Sequence, residues 1–452
     1  MKGDSHDYWL LPKEVSTIIG FFIGWAVNCF VWAITNDRIM RKEPSTGLRP
    51  AFPIDIIGKA KIIRSIYEGR DLMPLWNDLL SRVTVDPSDA AAFLDLSIIM
   101  NSVGQTSEAA IAQRAALRLS KTYRLTFGHG NGVNVLVLVT KGDFMANTPI
   151  ELLLEESNAT VLLHYVDAET ANLDDVPSHD VAFVAVSEST ENLPVLLNLE
   201  RLLQDWPGPI MNNAPRLVMG LSRDGVAEML REGVAVVTPA ITRISGSVLR
   251  NIADGALALE AAGSIVTYPF IVRPLDTHAG HGMEKITDPA QLFSFLEAHP
   301  DPIFYISSFI DYSSQDAKFR KQRVAFIDGN AYASHMAVSD HWMVHYQNAG
   351  MSRFEDRRAE EAAWMVSFDE EFAVRHANAF AELNRSFPMD YFAIDCAEMP
   401  DGRLLVFEVD VGMYIHWMDP AELFPYKEQV MKKLFRAFEA ALERRIQQRD
   451  KC

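Results

Sequence analysis

Three acids near the end of the chain, Asp395, Glu408 and Asp410, stand in apolar runs, Phe392 to Glu398 and Leu404 to Asp410, on either side of the turn Met399-Pro400-Asp401-Gly402. The runs read as two strands of a hairpin. Period-two geometry then puts Glu408 and Asp410 on one face, which Asp395 reaches if the strands pair. Carboxylates gathered in an apolar hairpin repel one another unless a cation lies between them, and an all-oxygen donor set suits Mg²⁺ or a similar hard ion. The competing reading is edge carboxylates that face water. Upstream, Tyr268 to Ile286 reads as a strand ending in Arg273 and Pro274, a loop with Gly280 and Gly282, and a second strand. A cation at a strand end and the backbone N–H groups of a glycine loop can together hold a polyphosphate; a structural hairpin is the plain alternative. Lys318, Arg320, Lys321 and Arg323 reverse the local charge of an otherwise acidic chain, which suggests an anion site. Arg323 falls inside a strand pattern, whereas Lys318 to Lys321 reads as a solvated loop.

Such positions need a scaffold. Val133 to Val139 is a continuous aliphatic run of strand length, and strands and helices alternate after it: Ile150 to Glu156, Thr160 to Val166, Val181 to Val186, Leu193 to Trp206 and Pro209 to Met211. That alternation implies an open α/β unit. Gly128 to Gly132 precedes it and reads as a hinge. From Ala51 to Leu125 apolar residues recur at spacings of three and four, as in helices. Asp89 to Arg124 resembles one tetratricopeptide repeat, with Phe93 and Leu96 at packing positions, Gly104 in the turn, and Ala109, Ala110 and Ala116 at the close approach. One repeat cannot bury its own face, so Ile56 to Val83 is expected to supply a neighbouring helical pair. A plain helical hairpin is the alternative.

A chain of 452 residues holds about two to four folding units. The expected divisions are an apolar helix over 1–45, the all-α repeat-like segment over 46–127, an α/β domain over 128–240 and a nucleotide-binding catalytic domain over 241–452. A formal net charge of -18 argues against a nucleic-acid partner, because phosphate neutralisation needs clustered Lys and Arg. Cys29, Cys396 and Cys452 lack metal-site or disulfide spacing, which fits a reducing cytosol. Val15 to Ile34 carries no charge and is long enough to cross a bilayer. Arg38, Arg41, Lys42 and Arg49 follow it, so the bulk of the protein is expected on the cytoplasmic side, tethered to the inner membrane if the helix spans. Asn28 and two glycines favour the other reading, a buried or partner-packed helix.

Taken in order, these pieces resemble the ATP-grasp superfamily, from Val133 to the C-terminal helix. Asn213-x-Pro215, Ser222-Arg223-Asp224 and Gly233 to Pro239 look like the approach to the family's nucleotide domain. The resemblance implies α+β lobes that hold ATP after an open α/β substrate domain. It assigns Arg223 and Arg273 to phosphates in place of the usual lysines, and Gly280 to Gly282 to the mobile phosphate loop. Tyr305, Ile306, Ser307, Ser308 and Phe309 would face adenine. Arg323 would meet the γ-phosphate or acyl phosphate, acting with Arg273 in catalysis, and Asp395, Glu408 and Asp410 would carry Mg²⁺. Departures are the two arginines, Ser307 and Ser308 in the hinge, and Asp410 for asparagine; arginine keeps the charge and can clamp phosphate bidentately. The implied reaction activates a carboxylate-bearing small molecule or peptide with ATP as an acyl phosphate, which an amine or thiol displaces, leaving ADP and phosphate. Asp340, His341, Trp342, His345 and Tyr346 would line the substrate pocket, with His278, His281 and His335 nearby. Two other readings share the residues: a scaffold without catalysis, binding a peptide or protein partner through the repeat-like segment, and a small-molecule kinase.

Overall fold

The computed structural model describes residues 52–262, 266–275, 277 and 280–449. The apolar run 15–34, Cys29, Cys452 and His278 therefore lie outside the described residues. Among those described, no helix is long and apolar enough to cross a membrane.

The architecture is mixed α/β, in two compact units. The first takes the described residues up to Ser187, then Asn192–Arg216 and those from Val411 onward. Its sheet has the order β1-β2-β4-β3-β5-β6, from β1 (Ile54–Asp55), β2 (Thr122–Thr126), β3 (Asn134–Val139), β4 (Thr160–Tyr165), β5 (Val181–Val184) and β6 (Ile210–Met211). The aliphatic run in β3 is parallel to both neighbours and buried from Val135 to Val139, as a central strand covered on both faces must be. Between β1 and β2 lie α1 (Lys59–Tyr67), α2 (Met73–Val85), α3 (Ala90–Ser102) and α4 (Thr106–Leu119). Asp89 caps α3 by accepting from the Ala92 N–H at 2.9 Å, and Gly104 turns the chain at φ 77°.

This arrangement corrects the expectation of a separate all-α segment over 46–127. The flanking strands β1 and β2 pair with each other in parallel, and β2 pairs with β4, so the helices are an insertion within one sheet. Helix α3 is buried on nearly every side, from Ala90 to Met100. A helix covered all round is a core element, so the four helices are not a free-standing repeat pair. The hinge expected at 128–132 is a pinned turn: Asn158 accepts from the His129 N–H at 2.9 Å through its side chain and from the Gly132 N–H at 2.8 Å through its carbonyl. The C-terminal helix, Lys427–Arg449, also belongs to this unit, with Phe438 5.7 Å from Phe183 of β5.

The second unit comprises Glu188–Glu191 and Leu217–Asp410, so it starts well before the boundary expected at 240. Its smaller sheet, β10-β9-β11-β8, is antiparallel and built from β8 (Ile241–Ser245), β9 (Phe270–Pro274), β10 (Glu284–Ile286) and β11 (Ile303–Ser308). Phe270, Val272, Phe304 and Ile306 of this sheet close a core with Leu249, Leu292 and Phe295. The larger sheet, β13-β12-β14-β15-β7, joins β7 (Val236–Val237), β12 (Phe319–Ile327), β13 (Asn330–Ser339), β14 (Tyr391–Glu398) and β15 (Leu404–Asp410). The hairpin read from the sequence is β14–β15. Lys321 and Arg320, expected in a solvated loop, lie inside β12.

Candidate functional site

The register of the larger sheet aligns charges across four strands. His335 on β13 faces Arg323 on β12, Arg323 faces Asp395 on β14, and Asp395 faces Glu408 on β15. Directly opposed residues lie within side-chain reach of each other. Bulges interrupt the ladder immediately after Arg323 and immediately after Asp395, and a bulge re-aims the side chains beside it.

The contacts follow the row. Arg323 clamps Asp395 with Nε 2.7 Å from Oδ1 and Nη2 3.1 Å from Oδ2, and Lys321, two residues earlier on the same face, places Nζ 2.9 Å from Oδ2. Asp395 is almost fully buried. Burial alone would raise its pKa, but Arg323 and Lys321 outweigh it and hold the carboxyl well below the usual range. Arg323 is likewise pulled down by burial and pushed up further by Asp395 and Glu408, ending above its usual value. Glu408 accepts from Arg223 Nη2 at 2.7 Å. Arg223 opens α5 (Arg223–Met229), which Ser222 caps by accepting from the Gly225 N–H.

From the smaller sheet, Arg273 at the end of β9 is 9% exposed and donates to the backbone carbonyl and hydroxyl of Thr277. Burial and then the charge of Arg223 pull its pKa down, against Glu408 and Tyr305. Arginine stays protonated in proteins, so Arg273 carries a desolvated positive charge beside that of Arg223. Among the described residues Arg273 makes no carboxylate pair. The loop between β9 and β10 turns at Gly280 and Gly282 with φ 75° and 62°, a conformation glycine adopts without strain. Nearby, Arg243 pairs with Asp224 at 2.9 Å and lies 5.4 Å from the Tyr305 ring centre.

Two groups of expected site residues lie in the sheets themselves. Tyr305, Ile306, Ser307 and Ser308 belong to β11, an interior strand that pairs with β8 over Ile303–Ser307 and with β9 over Phe304–Ser308. Tyr305, Ile306 and Ser307 thus have sheet neighbours on both edges, and the Ser308 N–H donates to the Ala240 carbonyl at 3.1 Å. Phe309 follows the strand. The three acids expected to carry Mg²⁺ lie on β14 and β15. Asp395 stands opposite Glu408, and Asp410 opposite Ala393, one step along the same face; among the described residues no group of three His, Cys, Asp or Glu side chains is placed so as to hold a metal ion. The cations that relieve acid repulsion are Arg223, Lys321 and Arg323. With Arg273 they place four cations beside the three acids Asp395, Glu408 and Asp410.

The loop after β13 is held by α6 (Glu355–Val366). Arg357 donates to the Val338 and Ala349 carbonyls at 3.0 and 2.6 Å, and Glu361, fully buried, accepts from Tyr346 Oη at 3.0 Å and the Met336 N–H at 3.1 Å. Asp340 is tied to Arg357 at 2.5 Å, and Tyr312 donates to the Trp342 carbonyl at 2.6 Å. His345 is pulled down to about 4 by burial and then by Lys321 and Arg323, so it borders the charged row and is neutral at pH 7. His335 packs against Tyr346 at 4.7 Å, while His341 is exposed. Sequence reasoning missed Arg357 and Glu361, whose spacing of four on an otherwise charged helix is the one available signal.

No family model matches the sequence, and a search of curated proteins gives no match. Among solved structures, a RimK domain ATP-grasp protein from Sphaerobacter thermophilus aligns with a TM-score of 0.39 at 15% identity, over 68% of this chain and 99% of that one. D-alanine–D-alanine ligase from Bacillus anthracis complexed with ATP gives 0.41 at 14% identity, over 70% and 100%. The corresponding ligase from Coxiella burnetii gives 0.40 at 11%, over 70% and 97%. TM-scores this low assign this chain neither a family nor an activity.

Proposed function

We propose that the second unit binds ATP and uses it to activate a substrate carboxylate, in the manner of the ATP-grasp ligases that the sequence motifs resemble. The observation that carries this reading is Arg273, buried, without a carboxylate partner among the described residues, and electrostatically coupled to Arg223. A polyphosphate supplies the negative charge it lacks. Arg273, Arg223, Lys321 and Arg323 would then face developing charge as a carboxylate oxygen attacks the γ-phosphorus and ADP departs, which is positioning and electrostatics rather than covalent catalysis. An amine or thiol would displace phosphate from the acyl phosphate. Glu408 and Asp395 hold Arg223 and Arg323 in place before the nucleotide arrives.

The test is calorimetric titration of ATP into the full chain, with and without Mg²⁺, beside Arg273→Met. A loss of affinity of about tenfold or more in the variant supports the reading, since one charge-assisted contact is worth roughly 1.5–3 kcal/mol. No binding of any nucleotide to the folded parent would overturn it and leave the scaffold. ADP release that needs an amine or thiol separates the ligase from a kinase, which would leave a stable phosphorylated product.

A further inference from the structure

In the first unit, α4 and the carboxyl ends of β3 and β4 border a pocket of about 170 Å³ that neither the sequence motifs nor the nucleotide reading uses. Open α/β sheets carry ligands at this edge. Four cations line it: Arg114 and Arg118, one turn apart on α4, Lys121 just before β2, and Lys141 just after β3. Asp167, just after β4, is the one acid in the lining, and it pairs with Lys121 at 3.0 Å. Four positive charges against one negative leave a surplus of three, in a chain whose net charge is -18. The carbonyl end of α4 offsets about half a charge of that surplus. A cleft lined by one sign of charge concentrates ions of the other.

Hydrogen bonds fix the walls. Gln113 of α4 accepts from the Gly142 N–H at 2.9 Å and donates to the Gly142 carbonyl at 3.2 Å, which holds the Lys141 loop against the helix that carries both arginines. The Tyr165 N–H donates to the Lys121 carbonyl at 2.8 Å, and Asn198 donates to the Asp167 carbonyl at 3.0 Å. Asp143, two residues beyond Lys141, turns its carboxylate to the Met145 N–H at 2.8 Å and does not line the pocket. Leu117, Tyr165 and Val166 give the pocket an apolar side.

We propose that this pocket binds a small phosphomonoester, its phosphoryl group held by Arg114, Arg118 and Lys141 and its apolar body laid on Leu117, Tyr165 and Val166. Guanidinium forks fit phosphate oxygens in pairs, and a dianion meets a surplus of three cations with no second acid in the lining to oppose it. The size favours a small ligand, since sites for drug-sized molecules run to about 300–1,000 Å³. The pocket lies wholly within the first unit, so it stands or falls independently of ATP binding.

The test is calorimetric titration of phenyl phosphate and of inorganic phosphate into the full chain, beside Arg114→Gln, Lys141→Gln and Arg273→Met. Arg114 and Lys141 are exposed, so their substitution leaves the fold intact. Phenyl phosphate is expected to bind the parent about fivefold or more tightly than inorganic phosphate, through burial of its ring. Arg114→Gln and Lys141→Gln should each weaken it by about tenfold, the loss of one charge-assisted contact, and Arg273→Met should leave it unchanged. No binding of phenyl phosphate, or binding that neither pocket variant weakens, overturns the proposal. A loss in Arg273→Met alone would place the anion in the second unit, and equal affinities for the two probes would leave a site for bare phosphate; either result overturns the phosphomonoester.

Discussion

Asp395 holds two cations at once, and that sets what its removal does. Asp395→Asn leaves Arg323 and Lys321 in a buried setting without the charge they face, which typically costs about 3–5 kcal/mol; urea unfolding should show a lowered midpoint for the transition of the second unit. Arg273 behaves oppositely. Its charge is desolvated beside Arg223 and has no carboxylate partner among the described residues, so Arg273→Met is expected to leave the unliganded chain as stable or about 1 kcal/mol more stable, while ATP affinity falls. A stability loss in the variant comparable to that of Asp395→Asn would show that Arg273 is structural. At this scale the sequence was readable where periodicity applies: alternation in β14 and β15 put Glu408 on the face that Asp395 reaches, and Arg323 was visible as a charge inside a strand pattern. Lys321 was not, because four basic residues in a row of six look the same whether they end in water or in a buried pair. Carboxylates in an apolar hairpin call for positive charge, but local pattern does not name Lys321 and Arg323 of the neighbouring strand or Arg223 of α5 as its source.

Asp95 shows how an element is held in place. Its carboxylate accepts from the Ile57 and Gly58 N–H groups, both at 3.0 Å, and so fixes the start of α1 from within α3. Burial, which outweighs those hydrogen bonds, pushes its pKa up to about 6. A carboxyl with a raised folded pKa contributes stability that is full below its unfolded value, near 4, and is lost as pH rises through 6. The loss amounts to roughly 3 kcal/mol across that window. Asp95→Asn should therefore flatten the pH dependence of unfolding between pH 4 and 7 relative to the parent; an unchanged slope would remove Asp95 as its source. Elements of this unit were legible where burial is complete, as in β3 to β5, whose aliphatic runs admit little else. The insertion of the helices into the sheet was not, because β1 is two residues long and β2 reads Thr-Tyr-Arg-Leu-Thr, too short and mixed to announce a strand. The place of β11 between β8 and β9 is hidden for a related reason: pairing on both edges of a strand depends on its neighbours, which local pattern does not name.

Over the whole molecule, a net charge of -18 opposes the approach of an anionic nucleotide, whereas the arginines around Glu408 attract it at short range. Salt separates the two effects. Exposed charges farther apart than a Debye length, about 10 Å at 0.1 M, are largely screened, while partly buried pairs are screened much less. Raising ionic strength from dilute buffer towards physiological values should thus raise the association rate of ATP by about two- to fivefold, as the repulsive field of the acidic surface is damped. The dissociation rate, set by contacts with Arg223, Arg273 and Arg323, should change little. Stopped-flow measurement of a fluorescent ATP analogue at several salt concentrations resolves both rates. An association rate that falls with salt would mean that the basic cluster projects its field beyond the surrounding acids and steers the nucleotide in from a distance, and the site would then be more open than the burial of Asp395 and Arg273 implies.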